Sequence, residues 1–288
     1  MYAITGITGK VGGAVALTLL AAGLPVRAVV RDAAKAAEWK TLGCEIAVAE
    51  MEDAAALAQA FKGAEAVFIL PPSNFDPEPG FPEAKIVIDT VRYALQAARP
   101  AKAVCLSTIG AQAVQVNLLT QRTLMEQALG TLDVPVTFLR PGWFMENAAW
   151  DVVPARDSGV IPSFLQPLDK PVPMVATADV GRVAAQLLQQ SWSGHRVVEL
   201  EGPCRVSPND IAAAFSRILG HPVRMEIVPR ASWETLFKSQ GMQDPLPRIR
   251  MLDGFNEGWI SFENGDAATL KGQVALETVL QSLVDGAA

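Results

Sequence analysis

Ala3-Ile4-Thr5-Gly6-Ile7-Thr8-Gly9-Lys10-Val11-Gly12-Gly13 opens the chain, and its reading decides the fold. A short apolar strand runs into glycines at 6, 9 and 12, and an apolar periodic run follows, predicting a helix over about Lys10–Ala22 that Gly23 stops. Leu24-Pro25 then leads into a second, β-branched strand, Val26-Arg27-Ala28-Val29-Val30-Arg31. Strand, glycine turn and helix in that order meet the physical requirement for holding a dinucleotide pyrophosphate. Glycines let the backbone turn tightly and approach the phosphates, and the helix start offers free N–H groups and positive partial charge. The chain has 22 glycines, so the spacing alone is a weak signal and the strand–turn–helix context carries it.

Further along, strands alternate with helices. Helices are expected near Ala33–Leu42, Asp53–Lys62, Phe81–Ala98 and Leu118–Leu129, and strands near Glu45–Ala49, Ala66–Leu70, Ala103–Ser107 and Val136–Arg140. Continuous apolar strands between helices mean that both sheet faces are covered, so the fold class is α/β, a Rossmann-type doubly wound parallel sheet. Residues 1–147 are expected to form the nucleotide-binding domain. From about Ala148 the alternation breaks down, and prolines divide Val152–Val175. A smaller α+β lobe is expected over 148–288, with 175–200 returning to the main domain. A helix from Asp179 to Gln190 is expected to be capped by Thr177 or Asp179, and Ser207-Pro208-Asn209-Asp210 starts another that Gly220 ends. Met242, Met251, Phe255 and Trp259 are expected in a core, a dimer contact or a substrate cleft.

Composition narrows the function. With 288 residues, half of them hydrophobic, the chain can bury a large core. A net charge of −6 and no basic tract argue against nucleic acid as a direct partner. The longest uncharged run, Val11–Val26, is too short and too broken by glycine to span a membrane. It mimics a signal-peptide core, but its helical spacing fits the first βαβ unit, and a cytoplasmic location is expected. Cys44, Cys105 and Cys204 form no framework and are each expected to be buried; with His195 and His221 they supply neither a zinc site nor a hydrolase triad.

The chemistry should sit in loops at the strand ends. After Leu70, Pro71-Pro72-Ser73-Asn74 and the proline-rich stretch to Pro82 suggest a stiff wall beside a cofactor. Ser107 and Thr108 bring hydroxyls to the same edge. Arg140-Pro141-Gly142-Trp143-Phe144-Met145-Glu146-Asn147 brings a turn and aromatic rings, with Pro141, Gly142 and Phe144 expected to wall a nicotinamide or a flat substrate, plain core being the alternative for the aromatics.

Those segments together, with Val30-Arg31-Asp32 and Ala178-Asp179-Val180-Gly181, resemble the NmrA-like family of atypical short-chain dehydrogenase/reductase proteins. Glu199-Leu200-Glu201-Gly202-Pro203, Ser207 and Ile218–Val223 look like later landmarks of the family, so the resemblance covers essentially the whole chain. It implies NAD(P)H binding by Gly6, Thr8, Gly9, Lys10, Val11 and Gly12, with Glu50 and Met51 near the adenine. Arg31, nineteen residues after Gly12, lies where the adenosine ribose should be, and with Lys10 it favours the 2′-phosphate of NADP(H) over NAD(H), although Asp32 follows directly.

Ordinary short-chain dehydrogenases move a proton with Tyr-x-x-x-Lys. Neither of the two tyrosines, Tyr2 and Tyr93, has a lysine four residues on. By the resemblance, Arg122 takes the lysine position and Leu118 that of the tyrosine. Arg122 can hold a ribose hydroxyl or a phosphate but is a poor proton donor, and Glu126, one turn on, is placed to pair with it. Two readings stand at this point. One is a reductase of quinone-like acceptors, with protons from water or Ser107 and a small-molecule partner. The other is a non-catalytic redox sensor acting through a regulatory protein partner. A monomer or homodimer is expected in either case.

Overall fold

The computed structural model describes residues 1–265 and 267–286. The first half runs β1 (Tyr2–Ile4), α1 (Lys10–Ala21), β2 (Val26–Val30), α2 (Ala37–Thr41), β3 (Glu45–Val48), α3 (Ala54–Phe61), β4 (Ala66–Ile69), α4 (Pro82–Ala98), β5 (Lys102–Leu106), α5 (Thr120–Leu129) and β6 (Val136–Pro141). It continues through β7 (Trp143–Phe144), α6 (Val152–Ser158), β8 (Val160–Ser163), β9 (Met174–Val175), α7 (Thr177–Gln189), β10 (His195–Glu201), α8 (Pro208–Leu219), β11 (Arg224–Ile227), α9 (Trp233–Ser239), α10 (Leu246–Glu257), β12 (Leu270–Lys271) and α11 (Leu276–Gly286).

Eight strands form one parallel sheet in the order β12-β10-β6-β5-β4-β1-β2-β3. The apolar strands divide their side chains between two layers with a period of two. Ile4, Ala66 and Phe68 pack under α1 and α7, while Ala3, Val67 and Ile69 face α3, α4 and α5. Order reverses between β1 and β4, which opens a crevice at their carboxyl ends. α7 lies so close on α1 that a Cβ at Gly181 would sit 2.3 Å from the Cβ of Ala14, which fits glycine to that point of the Ala178–Gly181 motif. A third apolar cluster, with Trp233, Phe215 and Phe237 fully buried, holds α6, α8, α9, α10 and α11 together. Phe255 and the half-buried Met242, Met251 and Trp259 pack into it, so they belong to a core.

The structure corrects several local expectations. The segment 33–42 is a 3-10 turn over Ala33–Ala36 followed by the short α2, because the Asp32 carboxylate accepts from the Ala34 N–H and tightens the start. Helix α5 begins at Thr120, since the Asn117 side chain takes the Leu119 N–H. Neither Thr177 nor Asp179 caps α7. The Glu146 carboxylate does so from outside, accepting from the Thr177 N–H at 2.9 and 3.0 Å and from its hydroxyl at 2.5 Å. Asp179 is buried and accepts from the Gln273 and Val274 N–H groups and from Arg182. Cys44 and Cys105 are buried, but Cys204 is exposed. Ser207 and Asp210 form the expected start of α8 as a complete capping box.

Candidate active site

The crevice at the β1–β4 switch point is built from the residues quoted first. Gly6 has a left-handed φ of +63°, and a Cβ there would strike Leu70 Cδ2 at 2.5 Å. A Cβ on Gly12 would lie 2.3 Å from the Gly6 carbonyl oxygen, so α1 and its loop meet backbone to backbone. Thr5 ties the two loops of the crevice. Its hydroxyl donates to the Phe68 carbonyl at 3.1 Å and accepts from the Leu70 N–H at 2.8 Å. Gly9 is the N-cap of α1, with no side-chain cap and no acidic residue in the first turn. The first N–H groups of α1 therefore point outward from a helix end carrying only positive partial charge. That uncapped, acid-free cradle fits a dinucleotide pyrophosphate. Thr8, Gly9 and Lys10 are exposed at its mouth, and Val11 and Gly12 are buried behind it.

Arg31 stands exposed at the end of β2, and neither it nor Lys10 has an ion-pair partner among the described residues. Asp32 is spent on its own backbone, which leaves Arg31 as the polar head at that strand end. Glu50 is exposed after β3, and Met51 packs half-buried against the α3–α4 layer.

On the other side of the crevice, the Arg122 guanidinium fastens the loop after β4. It donates to the Pro71 carbonyl at 2.9 Å, the Ser73 hydroxyl at 2.8 Å and the Pro72 carbonyl at 3.3 Å. Burial lowers its pKa, and no carboxylate pairs with it among the described residues. The expected Arg122–Glu126 pair is therefore not formed. The turn of α5 points Glu126 at the sheet, where Arg140 on β6 takes it with two bonds, Nε at 2.9 Å and Nη2 at 2.7 Å. A cavity of about 160 Å³ lies behind the Pro71–Asn74 loop, against α4 and α5.

Arg140, only 4% exposed, is the hub that the sequence did not reveal. Besides Glu126 it donates to Glu263 at 2.8 Å and Gln112 at 3.2 Å, and Glu199 lies 3.9 Å away. Burial works to lower its pKa, but the bonds to Glu126 and Glu263 outweigh that and raise it. Glu199 in turn accepts from the Glu263 and Asn264 N–H groups, so the segment near 261–265 is strapped to the sheet edge. The Ser107 hydroxyl makes a very short bond to Glu126. Burial pushes the neighbouring Cys105 thiol up to about 12, which leaves it protonated and inert near neutral pH.

Thr108 is half-buried beside Ser107, and the Ile109 N–H bonds to the Pro141 carbonyl. Gly142 lies against the Pro173 carbonyl, where a Cβ would approach to 2.5 Å. The aromatic pair of this motif separates. Phe144 packs on the core beneath α1, whereas Trp143 stacks edge-on with Phe255 at 5.1 Å in the other cluster. Among the described residues, no helix is long and apolar enough to cross a membrane.

The model of the NmrA-like family matches residues 2–254. The chain belongs to the NmrA-like family. Among relatives of this NmrA-like chain, an NAD(P)H azoreductase of Xenophilus azovorans is 30% identical, over 89% of this chain and 85% of that protein. A (4-alkanoyl-5-oxo-2,5-dihydrofuran-3-yl)methyl phosphate reductase of Streptomyces griseus is 32% identical, over 78% and 76%. An NADPH-dependent quinone oxidoreductase of Escherichia coli, solved with NADPH, superposes with a TM-score of 0.81 at 23% identity over the whole of both chains. That last likeness speaks for the fold.

Proposed function

We propose that this NmrA-like chain is an NADPH-dependent reductase of quinone-like or other conjugated small acceptors. The observation that carries the reading is the uncapped, acid-free start of α1, set at the switch point and faced by the glycines that let backbone approach it. Gly6, Thr8, Gly9, Lys10, Val11 and Gly12 would hold the pyrophosphate, and Glu50 and Met51 would border the adenine. Leu70, Pro71 and Pro72 would wall the crevice under the lock of Arg122, and Ser107, Thr108, Pro141, Gly142 and Phe144 would frame the nicotinamide end. When bound, NADPH supplies a hydride. The chain's part is to stack donor and acceptor within reacting distance, with the proton that completes the reduction taken from water. The two relatives of 30% identity or more reduce an azo compound and a conjugated lactone by name, which supports an acceptor whose conjugation receives hydride without a Tyr-x-x-x-Lys acid.

Arg31 would select NADPH by pairing with the 2′-phosphate. Arg31→Ala is expected to weaken NADPH binding by about tenfold or more while leaving NADH affinity within about threefold, consistent with one lost charge-assisted bond. Calorimetric titration of both dinucleotides checks it, and an unchanged preference would overturn this assignment. The reductase reading itself is tested by NADPH oxidation against a quinone panel, where acceptor-dependent turnover is the expected result. A redox-sensing role through a protein partner is the second reading. It is favoured by one observation: the Ser107 proton is already engaged by Glu126, so the hydroxyl that the sequence offered as a proton source is not free to give it.

A further inference from the structure

The Ser107–Glu126–Arg140 arrangement fixes what Ser107 can offer a ligand. Arg140 gives Glu126 two N–H bonds and a positive charge, and the Glu126 side chain is 12% exposed. Both Glu126 oxygens accept from the guanidinium, so Glu126 is an acceptor in this network. The hydrogen in its short bond to Ser107 must then be the serine's own. A hydroxyl has one proton and two lone pairs, so Ser107 has only lone pairs left for whatever lies beside it.

We propose that Glu126, clamped by Arg140, is a positioning residue that makes Ser107 an obligate hydrogen-bond acceptor, so that the site favours ligands bringing a neutral O–H or N–H to the Ser107 oxygen. The proposal rests on the reading that the nicotinamide and its acceptor occupy this edge of the sheet. A bare carbonyl set against Ser107 would meet it lone pair to lone pair, and a buried oxygen left without a donor weakens binding. Two ligand groups have the matching chemistry: the carboxamide N–H of the nicotinamide and a hydroxyl carried by the acceptor.

Binding measurements distinguish the two sources without depending on turnover. In one arm, the NADP⁺-loaded protein is titrated calorimetrically with hydroxymethyl-naphthoquinone and with its methyl ether. In the other, the free protein is titrated with NADPH and with its acetylpyridine analogue, which lacks the carboxamide N–H. The donor-bearing ligand should bind about 3–10-fold tighter in the arm that supplies the partner, the worth of one hydrogen bond. Ser107→Ala should abolish that preference and Ser107→Thr, which keeps the hydroxyl, should retain it. Glu126→Gln should shrink or invert it, because an amide can donate to Ser107 and release its proton. Equal affinities in both arms for the wild-type protein, or a preference that survives Ser107→Ala, would overturn the proposal. Absence of quinone turnover with the preference intact would count against the reductase reading alone.

Discussion

Arg140→Met is expected to lower the free energy of unfolding by about 3–5 kcal/mol, the usual loss when one partner of a buried ion pair is removed. The size follows from what is left behind. Glu126 would lose both of its guanidinium bonds, and Glu199, with its side chain 1% exposed, would lose its nearest cation. The Glu263 bond that helps strap the C-terminal segment to the sheet edge would also go. Urea titration followed by tryptophan fluorescence measures the loss. The exposed Arg224–Glu226 pair is the comparison, since breaking it with Arg224→Ala should cost under about 1 kcal/mol. If the two variants lost equal stability, Arg140 would not be the hub described.

The second large effect lies in the glycine loop. Gly12→Ala places a Cβ 2.3 Å from the Gly6 oxygen and 2.6 Å from its carbon. Both atoms are backbone, so α1 or its loop must move, and either movement displaces the N–H groups of the cradle. NADPH affinity should fall by about a hundredfold, equivalent to roughly 2.7 kcal/mol. Gly23→Ala provides the contrast. Gly23 follows the end of α1, at φ +71°, and its Cβ would meet nothing within 4 Å. It should cost about 1 kcal/mol of stability and leave NADPH affinity unchanged. A Gly12→Ala protein that binds NADPH within threefold of wild type would contradict the cradle.

The parts of the molecule legible in the sequence are those governed by near neighbours. The β1 strand, the glycine turn, α1 and β2 follow from periodicity and turn chemistry inside one thirty-residue window, and the doubly wound sheet follows from repeated apolar strands. The capping box at Ser207 is a four-residue pattern and reads equally well. What escaped the sequence joins residues far apart in the chain. Glu146 caps a helix that starts 31 positions later, and Asp179 receives N–H groups 94 and 95 positions on. Helical spacing offered Arg122 as the partner of Glu126, but the competing Arg140 arrives on a strand and reaches it with two bonds. The two-residue strand β12 is too short to carry any period. At the site, backbone that meets phosphate was readable, whereas the assignment of the Ser107 proton depended on a tertiary ion pair.

The central claim is that NADPH held at the glycine cradle reduces a conjugated acceptor. It is tested most directly by mixing the purified protein, loaded with one equivalent of NADPH, with one equivalent of a naphthoquinone in the absence of oxygen. The predicted result is loss of the reduced-nicotinamide absorbance matched by an equal yield of hydroquinone, at a rate well above that of NADPH and quinone without protein. Tightly bound NADPH that keeps its absorbance in the presence of the quinone would contradict the claim.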